Sequence, residues 1–259
     1  MVQWNIGCSG FYYNHWKGIF YPDDLPKSKW FDFYKERFHT LELNVTFYRF
    51  PQLTVFENWY DKTPSDFSFA VKAPRLITHF KQFNETADMM QGYYSVIAEG
   101  LKDKLGAVLF QLPPRTKYTP ERLEKILATI DSDYPNVIEF RHDSWWNAEV
   151  YNELSKHKIS FCGMSHPSLP DEVIQNSPLV YYRFHGVPEL YKSPYDSNFL
   201  RKVADQIRGN KRAKKAFLYF NNDIGGSAIV NAGELQDYVG NQKTKQAPKK
   251  KGTKKVRSL

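Results

Sequence analysis

The stretch TLELN (residues 40–44) alternates apolar and polar side chains without a break. Successive side chains of a strand point to opposite faces, so Leu41 and Leu43 share one face and Thr40, Glu42 and Asn44 the other. The alternation recurs in FSFAVK (67–72), where Phe67, Phe69 and Val71 oppose Ser68, Ala70 and Lys72. It recurs again in WNIGCS (4–9), where Trp4, Ile6 and Cys8 oppose Asn5, Gly7 and Ser9. An open sheet with helices on both sides needs two apolar faces. One small or polar face, repeated from strand to strand, fits a closed barrel covered by helices only on its outside.

Working outward, strand-type and helix-type stretches alternate about eight times. The strand candidates are 4–9, 40–44, 67–72, 105–112, 137–142, 159–165, 179–186 and 216–223. Helical candidates lie at 30–38, 55–62, 86–101, 120–130, 149–158, 197–208 and 227–239. In 120–130, Leu123, Ile126, Leu127 and Ile130 repeat at helical spacing, behind an N-cap Thr119 and a Pro120 in the first helical position. Alternation of this kind implies parallel strands with helical crossovers. The length of 259 residues suits one such domain. The expected fold is a single α/β domain over 1–240, a (β/α)8 TIM-type barrel, followed by a disordered Lys-rich tail over 241–259.

The net charge of +8 suggests a nucleic-acid partner until it is located. Residues 241–259 hold eight Lys and Arg and no acid, and taking these from 36 leaves 28, equal to the 28 Asp and Glu. The body is neutral. The tail can contact nucleic acid weakly through phosphate charge, or serve only to solubilise. Cys8 and Cys162 stand far apart, which excludes a disulfide framework and a CxxC site. The opening residues lack a charged segment followed by an apolar one, and no run approaches the ~18 apolar residues of a membrane span. No membrane association is expected, and the chain reads as cytoplasmic.

In β/α barrels the site lies at the C-terminal ends of the strands. Those ends carry Ser9, Glu42, Asn44, Lys72, Gln111, Glu139, Arg141, His142, Ser165, His166, Arg183, His185, Asn221, Asn222 and Asp223. Several are flanked by apolar neighbours that imply burial, and a buried charge must be paired or shift its pKa. Glu139 with Arg141, or Glu42 with Lys72, can also be read as structural bridges across the barrel.

The segments IGCSGFYYNHWKGIFYPDDLP, FHTLELNVTFYRFP, FSFAVKAPRLITH, LGAVLFQLPP, VIEFRHDSW, YYRFHG and AFLYFNNDIGGSAIVNA closely resemble the YecE-like family, domain of unknown function 72. They run from Ile6 to about Ala232 in the family's order. The resemblance implies a β/α barrel without an established biochemical role. By motif it points to the strand-end residues above other than Ser165 and His166, together with Trp16, Tyr48, His79 and Trp145. Family members often carry an acid before a proline at the end of the sixth strand; here the stretch is Met164, Ser165, His166, Pro167. A role that leans on that acid, such as metal ligation, is thereby weakened.

The residue types favour a metal-independent acid/base enzyme, hydrolase- or lyase-like, acting on a small anionic or sugar-like substrate without a cofactor. Glu42, Glu139, Lys72 and His185 are the expected catalytic groups, with the two carboxylates split in pKa by their cationic neighbours. Arg141 and Arg183 suit an anion, and Ser9, Asn44, Gln111, Asn221, Asn222 and Asp223 suit polar groups of a ligand. Tyr48 and Trp145 can stack on a ring. Metal-assisted hydrolysis would need Glu42, Glu139, His185 and Asp223 to converge, against the like charge of Lys72, Arg141 and Arg183. A Schiff base at Lys72 is disfavoured if nearby acids keep the amine protonated. The remaining alternative is a non-catalytic binder of a phosphorylated metabolite or nucleic-acid end.

Overall fold

In the computed structural model, which describes residues 1–246, eight parallel strands form one sheet in the order β1-β8-β7-β6-β5-β4-β3-β2. The strands are β1 (Gln3–Cys8), β2 (Thr40–Leu43), β3 (Ser68–Lys72), β4 (Leu105–Gln111), β5 (Asn136–Glu139), β6 (Ser160–Ser165), β7 (Leu179–Phe184) and β8 (Lys215–Phe220). Seven neighbouring pairs are joined by parallel ladders. The eighth junction, between β1 and β2, is bridged by a side chain instead. Tyr34 donates its hydroxyl to the Thr40 carbonyl at 3.0 Å and accepts from the Cys8 amide at 2.9 Å. Gly7 permits this approach, since a Cβ there would stand 2.5 Å from the Thr40 carbonyl oxygen. The barrel is nearly closed.

Helices α1 (Trp30–Lys35), α2 (Val45–Tyr48), α3 (Leu53–Asp61), α4 (Ala87–Leu101), α5 (Pro120–Thr129), α6 (Ala148–Lys156), α7 (Ser197–Gly209) and α8 (Ser227–Gln246) connect or follow the strands. At α5 the expected cap is present, Thr119 Oγ1 accepting from the Arg122 amide at 3.2 Å with Pro120 behind it. Between β6 and β7 the chain crosses without an α-helix. α8 reaches Gln246, into the stretch expected as a tail. The expectations for 247–259, including nucleic-acid contact, lie outside the described residues. Among the described residues no helix is long and apolar enough to cross a membrane.

The face assignment read from the alternation holds. Ala70, Ala107, Leu109, Val137, Cys162, Tyr181, Phe217 and Tyr219 fill the barrel interior. Small residues on β3 and β4 oppose large rings on β7 and β8, which lets the interior layers interdigitate. The other parity, including Ile6, Leu41, Leu43, Phe69 and Val71, packs in the shell between strands and helices. Six of the eight strands stop one to three residues earlier than expected at their C-terminal ends, whereas β3 and β6 end as expected at Lys72 and Ser165. The polar residues beyond these ends stand on the first residues of the loops.

Candidate functional site

Above the apolar interior the inward parity becomes charged. Arg183 follows Tyr181 on β7, Glu139 follows Val137 on β5, and Glu42 follows Thr40 on β2. Arg183 donates from Nη1 to Glu139 Oε2 and from Nη2 to Glu42 Oε1, both at 2.7 Å. The Tyr181 hydroxyl donates to Glu42 Oε2 at 2.6 Å. Ser9 donates to Glu42 Oε1 and accepts from Arg183 Nη2 and Asn44 Nδ2, each at 2.9 Å. Glu139 Oε1 pairs with Arg141 Nε. Glu42, Glu139 and Arg183 are all buried. Desolvating such charges costs several kcal/mol per ion, which only multiple good partners offset.

Burial alone would raise the Glu139 carboxyl, but Arg141 and Arg183 reverse that and hold it well below its usual range. It is a fixed anion, unsuited to donate a proton. His185 is driven the other way: burial, then Arg141 and Arg183, push its pKa well below 6.5. Arg141 Nη2 stands 3.2 Å from His185 Nε2. The same Nε2 stands 3.4 Å from Glu139 Oε1, so the ring is wedged between a guanidinium and a carboxylate. The Asn221 amide nitrogen Nδ2 stands 3.1 Å from Nδ1. His185 thus positions Arg141 as a neutral ring.

Over this network opens a cavity of about 430 Å³. Its polar lining is Lys72, Arg141, Arg183, Asn44, Gln111, Asn221 and Asp223, and its aromatic lining is Tyr13, Phe47, Tyr48 and Tyr191. Lys72 donates to Gln111 Oε1 at 2.5 Å, with its ammonium 4.3 Å from the centre of the Phe47 ring. Among the described residues no ion pair joins it to a carboxylate. Burial first, then Arg183, lowers its pKa to about 8. Asp223 lies toward the mouth, 3.5 Å from His15 Nε2, and burial raises its carboxyl.

Of the residues expected at a site, Lys72, Asn44, Gln111, Arg141, Arg183, Asn221, Asp223 and Tyr48 line one cavity. Glu42, Glu139, His185 and Ser9 lie beneath it as a supporting layer. Two face elsewhere. Asn222 donates to the Ser193 carbonyl and to Asn231 Oδ1, each at 3.1 Å. Trp145 stacks on Phe140 with centroids 3.9 Å apart and donates to the Thr116 carbonyl at 2.8 Å. Both tie loops to the scaffold. Tyr13, Phe47 and Tyr191 were not expected; Tyr13 and Tyr191 stand in loops and Phe47 in the single turn of α2, all too short or irregular for a periodicity that aims a side chain. Glu42, Glu139, His185 and Asp223 do not converge, and among the described residues no three His, Cys, Asp or Glu side chains group as metal ligands.

A family model described as a protein of unknown function, DUF72, matches residues 5–255. The UPF0759 protein YunF of Bacillus subtilis is 26% identical over 254 residues, covering 85% of this chain and 89% of YunF. The UPF0759 protein YecE of Escherichia coli is 26% identical over 116 residues, 44% of this chain and 42% of YecE. Among solved structures, a DUF72 family protein from Thermotoga maritima has a TM-score of 0.83 at 29% identity, covering 92% of this chain and 99% of that one. Another from Enterococcus faecalis has a TM-score of 0.78 at 20% identity, covering 92% and 96%, a likeness of fold.

Proposed function

We propose that this chain, which belongs to the DUF72 protein family, binds a small anionic ligand in the strand-end cavity and acts on it by metal-independent acid/base chemistry, in the manner of a hydrolase or lyase. One observation carries the reading. Lys72, Arg141 and Arg183 line the cavity, whereas Glu42 and Glu139, which balance the guanidiniums, lie beneath it and are not among its lining residues. The face offered to a ligand is therefore cationic and held in place before binding. Arginine forks suit a carboxylate or phosphate group. The amides of Asn44, Gln111 and Asn221 suit hydroxyls, and the aromatic walls suit the apolar face of a ring or sugar.

The acid/base role passes from the carboxylates to Lys72, whose pKa of about 8 lies near neutrality. Asp223 is the carboxyl group at the cavity wall. A non-catalytic binder is the second reading, favoured by the complete engagement of Glu42 and Glu139 in ion pairs. Crystals of the full chain soaked in sodium phosphate test the anion site. The expected result is phosphate within hydrogen-bond reach of Lys72 Nζ and the Arg141 guanidinium. Phosphate found only on the outer surface, with the cavity free of it, contradicts the proposal.

A further inference from the structure

We propose that Lys72 is a nucleophilic amine that condenses with the carbonyl of a small keto or aldehyde acid, whose carboxylate is held by Arg141. The inference rests on the anion-binding reading above and supplies its substrate class. Lys72 is the last residue of β3 and lines the cavity. Its neighbours are a neutral acceptor, Gln111 Oε1, and the face of Phe47.

From sequence alone, nearby acids would keep this amine protonated. In the structure Glu139 and Glu42 still favour the ammonium, but burial and Arg183 outweigh them, and the carboxylate oxygens are engaged elsewhere. Glu42 Oε1 accepts from Ser9 and Arg183, and its Oε2 from Tyr181. Glu139 Oε2 accepts from Arg183, and its Oε1 pairs with Arg141. The guanidiniums that take up the carboxylates also disfavour a third cation on the same wall. Desolvation beside another cationic group is the recognised way to free a lysine amine for attack on a carbonyl. The other nucleophiles do not compete: Cys8 and Cys162 are buried, and Ser9 is fixed by three partners.

The step balances without an oxidant or reductant. The neutral amine forms a C–N bond to the carbonyl carbon, and the carbonyl oxygen takes up the proton that the nitrogen loses. A second proton reaches that oxygen, the C–O bond breaks, and water leaves an iminium ion on Nζ. The iminium is an electron sink for cleavage or proton loss at the neighbouring carbon, within the lyase class proposed above.

The test treats the full-length protein with glyoxylate, the smallest aldehyde acid, and sodium cyanoborohydride at pH 8. The reductant converts an iminium into a stable secondary amine, which peptide mass mapping locates. At pH 8 about half of Lys72 is neutral, against roughly 0.4% of an exposed lysine, an advantage on the order of 100-fold in reactive amine. The expected result is preferential reduction onto Lys72, suppressed by inorganic phosphate and absent in Lys72→Arg. Mapping the wild-type chain decides the matter even if the variant folds poorly. A glyoxylate-induced rise in melting temperature that is absent in Arg141→Ala, with label only on exposed lysines, overturns the imine and leaves the anion site. Neither thermal stabilisation nor Lys72 label overturns both.

Discussion

Arg183 holds Glu42 and Glu139 at once, with Nη2 and Nη1 each 2.7 Å from one carboxylate. One guanidinium on β7 thereby ties β2 to β5 across the barrel, and all three side chains are buried. Removing one partner of a buried ion pair leaves an uncompensated charge, which costs about 3–5 kcal/mol. Arg183→Met keeps the apolar stem and is expected to lose that much in urea unfolding at pH 7. Adding Glu42→Gln and Glu139→Gln to the same chain is expected to recover more than half of it. A loss under about 1 kcal/mol in the single variant would show that the three groups are not coupled.

Acid sensitivity follows from the same network, in two windows. His79 and His166 are lowered by burial and cationic neighbours to about 4, and His185 is lowered well below its ordinary 6.5. The unfolded chain takes these protons first, so stability present above pH 6.5 falls as pH drops toward 4. Glu139 has a folded pKa below its ordinary 4.5, so its contribution is present above that value and is lost below it. Urea midpoints across pH should therefore fall alike in wild type and Glu139→Gln from pH 6.5 to 4.5. Below 4.5 the wild-type curve should steepen and the variant's should stay shallower. Equal slopes there would remove Glu139 from the acid limb.

Lys72 sets function against stability. Its folded pKa of about 8 lies below the ordinary 10.5, so the unfolded chain holds this proton more tightly. The destabilisation is complete below pH 8 and fades as pH rises to 10.5. Lys72→Met is therefore expected to raise stability at pH 7 by about 1–2 kcal/mol, with the gain shrinking toward pH 10. Chemical denaturation at pH 7 and pH 10 checks both the sign and the trend. A variant less stable than wild type at pH 7 would mean that the bond to Gln111 outweighs the desolvation.

The alternation in residues 40–44, 67–72 and 4–9 was enough to read the barrel, because interior packing demands one parity of each strand. The same parity sorts part of the site. Asn221 continues the inward series of Phe217 and Tyr219, whereas Asn222 continues the outward series of Leu218 and Phe220. Counting two residues at a time would have excluded Asn222. Parity gives a direction but no depth, so it could not tell Lys72, at the cavity wall, from Glu42 and Glu139 one layer down. It also ends with the ladder. Trp145 sits in a 3₁₀ turn after β5, and Tyr13 and Tyr191 in loops, where long-range packing decides the direction of the side chain.

The β1–β2 junction gives a separate test of the fold. Tyr34 is fully buried, and its hydroxyl serves both Cys8 and Thr40 where no ladder does. Tyr34→Phe leaves two buried backbone groups without a partner, at about 1–3 kcal/mol for each. Hydrogen exchange at the Cys8 amide should accelerate in the variant more than exchange at β6 or β7. Unchanged exchange at Cys8 would mean that the seam is held by packing alone.

The central claim, that Lys72 and Arg141 form an anion site above a buried ion-pair layer centred on Arg183, is met most directly by calorimetric titration of inorganic phosphate into the full-length wild type and Lys72→Met. A hydrogen bond to a charged group contributes about 1.5–3 kcal/mol, or roughly 10- to 100-fold in affinity. The account predicts one phosphate bound per chain and a loss of that size in a variant that remains folded. Equal phosphate binding by the two chains would contradict it.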